Sequence, residues 1–315
     1  MSEQKKIATR EAYGQALAAL AGENDNIVVL DADLSKSTKT ADFAQVAPER
    51  FFNIGIAEQN MTGVAAGLAA AGKIPFISTF AIFASGRAFE QVRNSVAYPK
   101  LNVKIAATHA GISVGEDGGS HQSIEDIALM RALPNMTVIS PCDGPETTQA
   151  VYAAVKHEGP VYLRLGRLGV PVIHGEDYRF QLGRGVLELP GRDVTLFATG
   201  LMVGITLEAA ALLAAEGISA TVANIHTIKP LDTDFVLEQA SLTGAAVSVE
   251  EHSIIGGLGS AIAETLMEGG CHVPFTRVGV SDQFGQSGSP PALIKHYGLS
   301  PEAIATAAKA LLAKK

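Results

Sequence analysis

The chain has 315 residues, 47% hydrophobic and 18% charged, with a formal net charge of −8. That is enough apolar material for two domains, and too acidic for the basic footprint that nucleic acid or an anionic membrane needs. Two widely separated cysteines, Cys142 and Cys271, exclude a disulfide framework and fit a reducing compartment. The start, MSEQKKIATREA, lacks the apolar centre of a secretion signal, and no apolar run reaches the ~20 residues of a membrane span. The expected location is cytoplasmic.

In chain order, apolar β-branched runs alternate with helical periodicity. Strands are expected at Ile27–Leu30, Phe51–Ile54, Pro75–Thr79, Val103–Thr108, Thr137–Ser140 and Val161–Arg164. Helices are expected at Glu11–Ala21, Glu58–Ala71, Ala88–Ala97 and Pro145–Lys156. Strands without polar alternation, joined by helices, indicate a parallel sheet covered on both faces. After Arg164 the pattern lapses into LGRLGVPVIHGEDYRFQLGRG, which reads as a linker. A second alternation follows: strand Val194–Ala198, helix Thr206–Glu216, strand Ala220–Ala223, helix Asp232–Ala240, strand Ala246–Val249, helix Gly259–Met267 and strand Phe275–Val278. Helix Pro301–Ala313 closes the chain. The expected fold class is α/β with two doubly wound domains: residues 1–172 with a parallel sheet, a linker over 173–190, and residues 191–315 with a smaller, mostly parallel or mixed sheet.

In such sheets ligands sit beyond the carboxyl ends of the strands. Four loops there carry unusual polar residues: DADLSKST (31–38), NIGIAEQN (53–60), THAGISVGEDGGSHQ (108–122) and RLGRLG (164–169). The third places His109, Glu116, Asp117, His121 and four glycines within fifteen residues. Alone it reads equally as a flexible turn with solvated charges. The histidines are twelve apart, with no HxH or HExxH spacing, so no metal site is expected. Glu58 heads an apolar helix rich in Ala, Gly and Met; alone it could be a cap, since free N–H groups and the helix dipole stabilise an acid there. Phe80 and Phe83, three apart, read by themselves as core. GGLGSA (256–261) lacks the third glycine of a dinucleotide fingerprint and is better explained as a tight turn.

Together, IATRE, DADLSKST, FFNIGIAEQNM, STFAIFASGRAFEQVR, THAGISVGEDGGSHQSIEDIALMRALPNM, TIKPLD and FGQSG resemble transketolase, and specifically its pyrimidine-binding and C-terminal domains. The resemblance spans nearly the whole chain in order. The family's GDG motif, which holds Mg²⁺ and the diphosphate of thiamine diphosphate, is absent here; GEDG (115–118) belongs to another motif. The chain thus resembles the C-terminal subunit of a split transketolase. The resemblance implies a GDG-bearing N-terminal partner that holds the Mg²⁺, a heterotetramer, and sugar phosphates as substrates for two-carbon ketol transfer, as in the pentose phosphate pathway.

Residue by residue, the match makes Glu58 the acid that shares a proton with N1′ of the cofactor's aminopyrimidine. Phe83, with Phe80 beside it, becomes the aromatic platform for that ring, and Asp33 lines the cofactor pocket. The segment after Phe83, SGRAFEQ, is one residue longer than in some relatives. His121 falls near the donor C1 hydroxyl and carbonyl oxygen, and Asp117 at the acceptor's C2 hydroxyl. Arg10, Ser37, His109 and Arg167 match phosphate-binding positions. Deoxyxylulose-phosphate synthase shares several of these patterns, but usually has an Arg where this chain has His109. The β subunit of 2-oxo acid dehydrogenases is similar in length but would not need Arg10, His109 and Arg167. A non-catalytic partner that retains the fold would not need Glu58.

Overall fold

The computed structural model describes residues 5–315. Among the described residues, fourteen strands form three sheets. In chain order they are β1 (Lys6–Ala8), β2 (Ile27–Asp31), β3 (Phe51–Asn53), β4 (Ile74–Phe80), β5 (Lys104–Thr108), β6 (Thr137–Ile139) and β7 (Val161–Arg164). There follow β8 (Gly169–Pro171), β9 (Val186–Leu189), β10 (Val194–Ala198), β11 (Ala220–Asn224), β12 (Thr227–Lys229), β13 (Ala246–Ser253) and β14 (Phe275–Val280). The larger sheet has the order β12-β6-β7-β5-β4-β2-β3, parallel except for β12. The second sheet, β14-β13-β10-β11-β9, is parallel except for β9. A short antiparallel ribbon joins β1 to β8. The fold is α/β with two helix-covered sheets, as expected.

The period of two along each strand sorts its side chains between layers. On β2, Val28 and Leu30 point into one core with Met61, Ala65, Ile127 and Met130, while Ile27 and Val29 point into another with Tyr13, Leu17 and Val151. Helices Glu58–Ala70 and Asp126–Ala132 therefore cover one face, and Thr9–Leu20 and Gly144–Lys156 the other. The second sheet repeats the scheme. Leu196 of β10 faces helices Met202–Ala215 and Pro301–Leu312, whereas Phe197 faces Thr233–Thr243 and Leu258–Glu268. No helix of the described residues is long and apolar enough to cross a membrane.

Four details differ from the sequence expectations. β12 follows the second domain's β11 in the chain yet pairs antiparallel with β6, so the first sheet is completed by the second half. The stretch 173–190 is not featureless, because β9 lies in it and edges the second sheet. The expected helix Ala88–Ala97 is broken into wide helical turns at Phe83–Arg87 and Val92–Ala97 around Phe89–Gln91. Ser85 there donates its hydroxyl to Ala81 O at 2.7 Å, which competes with the regular ladder next to Gly86. Cys142, in no ligand pattern along the sequence, lies 3.8 Å from His174 Nδ1 and near Glu188. Both ring nitrogens of His174 are already engaged by carboxylates, Asp143 at 3.3 Å and Glu188 at 3.0 Å.

Candidate active site

Strands β7, β5, β4, β2 and β3 are adjacent, so their carboxyl ends bring the loops after Arg164, Thr108, Phe80, Asp31 and Asn53 to one rim. Asp31 organises the first of these in chain order. Its carboxylate accepts the Leu34 N–H at 2.5 Å and the hydroxyls of Thr38 and Thr40 at 2.7 and 2.9 Å. That pins 31–40 and leaves Asp33 exposed in the left-handed region at φ 63°. Asp33 accepts the Asn53 amide at 2.9 Å, which ties the β2 and β3 loops together.

Glu58 opens helix Glu58–Ala70 and is 2% exposed. A buried carboxylate needs partners. Besides the helix N-terminus it has Arg87, whose Nη1 donates to both oxygens at 3.0 and 3.2 Å. The same guanidinium lies over the Phe83 ring, 4.1 Å from its centroid. A guanidinium is planar and rich in donors. The space between Phe83 and Glu58 therefore holds a flat group that stacks on the ring and hydrogen-bonds to the acid.

Phe80 stacks beside Phe83, with centroids 6.0 Å apart. His109 stacks on Phe80 at 3.9 Å, and His121 stands edge-on to Phe83 at 5.4 Å. His109 holds a left-handed backbone, φ 57°, which a non-glycine residue adopts only under constraint. Burial, reinforced by the charges of Arg10 and Arg167, lowers its pKa to about 3, so the ring is neutral. Its Nδ1 meets Thr108 Oγ1 at 2.9 Å, and its Nε2 accepts from Arg10 Nη1 at 3.3 Å. Arg10 Nη1 also donates to Ser37 O at 2.8 Å. Arg167 donates to Val114 O at 2.7 Å and lies 3.7 Å from the Asp117 carboxylate.

Phe80, Phe83, His109, His121, Arg10 and Ser37 thus form one contact chain, Glu58 joins it through Arg87, and Arg167 pairs with Asp117 beside it. Asp33 makes its hydrogen bond with the Asn53 loop and not with this group. Sequence reasoning missed Arg87 and Asp31. Arg87 had a faint signal, a cation four residues past Phe83. Asp31 had none, because its partners are a backbone group and hydroxyls brought in by the fold.

Residues 5–172 match the pyrimidine binding domain of transketolase, and residues 183–304 match the transketolase C-terminal domain. A protein of Methanocaldococcus jannaschii described as a transketolase C-terminal section is 51% identical over 94% of this chain and 93% of its own length. A 6-deoxy-6-sulfo-D-fructose transketolase subunit of a Clostridium species is 46% identical over 97% and 95%. A split-gene transketolase solved as an inactive β4 tetramer superposes with a TM-score of 0.89 at 57% identity, covering 98% of this chain and 99% of that one. The chain belongs to the transketolase family and corresponds to the C-terminal subunit of its split members.

Proposed function

We propose that this chain supplies the pyrimidine half of a split thiamine diphosphate-dependent transketolase. A separate GDG-bearing chain holds the diphosphate and Mg²⁺. When bound, the cofactor supplies the nucleophilic carbon that carries a two-carbon ketol unit from a ketose phosphate to an aldose phosphate. The observation that carries this reading is the slot between Phe83 and Glu58, filled in this chain by a planar donor group.

Within it, Phe83 stacks on the aminopyrimidine, Phe80 backs the platform, and Asp33 lines the pocket. Glu58 exchanges a proton with N1′ of that ring. His121, edge-on to Phe83, serves the donor's C1 hydroxyl and carbonyl oxygen, where a histidine can move a proton near neutral pH. Asp117 receives the acceptor's C2 hydroxyl. Arg10 and Arg167 bind substrate phosphate, with Ser37 beside Arg10. His109, being neutral, aims the Arg10 guanidinium rather than adding a cation. The modified sugar named for the Clostridium relative widens the candidate donors to sulfo-sugars.

Domains at 1–172 and 191–315, joined by 173–190 with β9 of that stretch added to the second domain's sheet, and a heterotetramer with sites across subunit boundaries complete the reading. The need for a second chain is supported by the split-gene relative, whose β4 tetramer is inactive, and by apolar Phe52 and Ile56, 42% and 77% exposed and close to Glu58 in the chain. The test is ketol transfer by this chain with thiamine diphosphate and Mg²⁺, with and without its GDG-bearing partner. Activity only with both chains supports the proposal; robust activity from this chain alone overturns it.

A further inference from the structure

The loop that bears Asp117 and His121 alternates between two faces. Glu116, Asp117 and Ser120 are exposed and His121 is half-buried, whereas Gly118 and Gln122 are buried. The inward residues meet the second domain at FGQSG, 284–288, a motif with no assigned role above. Gln122 Nε2 donates to Gln286 O at 3.0 Å and to Ile112 O at 3.1 Å, with Gly115 O at 3.5 Å. A Cβ on Gly119 would stand 2.6 Å from Gly285 O, and one on Gly118 would stand 2.6 Å from Ser287 Oγ. A Cβ on Gly285 would overlap the amide of Gln122. The two backbones therefore approach as closely as glycine allows.

The motif is itself anchored, because Tyr297 donates its hydroxyl to Phe284 O at 3.0 Å. The start of the substrate loop is held by the same domain. Glu251 of β13 accepts the Ser113 N–H at 2.5 Å and lies against Gly111. Arg164 donates to Glu251 O at 2.9 Å, fixing that strand. The loop is gripped at both ends by the second domain, and only its outward side chains are free to meet a ligand.

We infer that Gln122 and the FGQSG segment are positioning elements: they act through Asp117, so the second domain sets how tightly the sugar acceptor is held. This rests on the assignment of Asp117 to the acceptor in the split-transketolase reading. The contact is suited to the task because the buried amide nitrogen spans the two domains: without it Gln286 O loses its donor, while Ile112 O and Gly115 O keep only the N–H groups of Gly115 and Gly118 from within the loop itself. The loop would then relax without any change at Phe83 or Glu58.

The test uses Gln122→Met, which keeps length and shape but removes the donor, and Gly285→Ala, whose methyl would displace the Gln122 amide. Each is assembled with the GDG-bearing partner and checked for wild-type melting behaviour. The expected result is a rise of about tenfold in KM for an aldose phosphate acceptor, the scale of one lost buried hydrogen bond. kcat stays within about threefold and calorimetric affinity for thiamine diphosphate is unchanged, since no group facing the cofactor is altered. Amides of 115–122 exchange faster in this chain alone. Where Gly285→Ala fails to fold, Gln122→Met decides. An unchanged acceptor KM in folded Gln122→Met, or a parallel loss of cofactor affinity, overturns the inference. Absence of activity in the wild-type assembly would defeat the split-transketolase reading instead. The exchange measurement still judges the brace, which is overturned if 115–122 exchange no faster in Gln122→Met.

Discussion

Two regions of this chain solve the problem of burial in opposite ways. Where its two halves meet, the seam is polar and its buried charges are paired. Buried Arg164 pairs with Asp126 at 2.8 Å, Tyr162 donates to the same carboxylate, and His174 lies between Asp143 and Glu188. Lys229 donates to Arg131 O and Leu133 O. Around Glu58 the surface is the reverse: Phe52, Ile56 and Val64 are exposed, and a Cβ on Gly63 or Gly67 would meet nothing within 4 Å. Interfaces are usually apolar at their centre and polar at their rim. An internal seam can instead rely on charges that are already paired, while apolar surface left open marks where another chain packs. Under the proposed function, the site has one wall built by this chain and an apolar side left open for another.

The seam is broken most severely at its buried ion pair. Arg164→Met leaves the Asp126 carboxylate without its cation, and breaking such a pair costs about 3–5 kcal/mol. Denaturant unfolding should show that loss. A change below about 1 kcal/mol would mean that Tyr162 and neighbouring N–H groups carry the seam without the arginine.

The pH dependence of stability probes the same seam at His174. Burial pulls its pKa down, but hydrogen bonds to Asp143 and Glu188 outweigh it and carry the value up to about 10. Because the folded value exceeds the unfolded one, this contribution is full below about pH 6.5, declines as pH rises, and is gone above pH 10. The limiting slope is about 1.4 kcal/mol per pH unit for one proton. Urea midpoints between pH 6.5 and 9.5 should fall in the wild type, and His174→Gln should flatten that fall. An equal slope in both proteins would place the proton elsewhere.

The open wall was more legible in the sequence than the seam. Runs such as IVVL fixed β2 because a strand buried on both faces must be continuously apolar. Glu58, Phe83 and His121 read alone as a cap, a core residue and part of a solvated turn, and only the ordered resemblance to transketolase singled them out. β12 escaped notice since TIK is three residues whose partner, β6, lies far away in the chain. β9, VLEL, has an edge-strand pattern that reads equally as linker. The role of Gln122 depends on carbonyls from two segments far apart in the chain, 112–115 and Gln286, and Arg164 read only as the end of a strand. Composition cannot signal such pairings, because non-local contacts specify them.

On the open side, Glu58→Gln should lower ketol transfer by a factor of ~10² or more while melting stays unchanged, since glutamine can hydrogen-bond but cannot exchange a proton. Near-normal turnover with the partner present would remove Glu58 from its role. Arg167→Ala tests the phosphate end of the site. A charge-assisted contact of roughly 1.5–3 kcal/mol predicts a KM at least about tenfold higher for phosphorylated donors, and little change for erythrulose. Equal losses for both donors would make Arg167 structural, acting through its bond to Val114 O.

The smallest effect is expected at Arg87, and its sign is the informative part. Its guanidinium covers the face of Phe83 and both oxygens of Glu58, the surfaces that an aminopyrimidine would use. The two cannot share that slot, so cofactor entry must displace the arginine. Its side chain is 49% exposed, which leaves it a route into solvent and weakens the contact through screening. A cation–π contact and a half-exposed ion pair together contribute roughly 0.5–1 kcal/mol. Arg87→Ala should therefore tighten thiamine diphosphate binding to the assembled enzyme by about two- to fivefold in calorimetry, a gain that follows from removing a competitor rather than adding a contact. Weaker binding in the variant would instead make Arg87 a contact retained in the loaded site. The open wall would then be incomplete without its own cation.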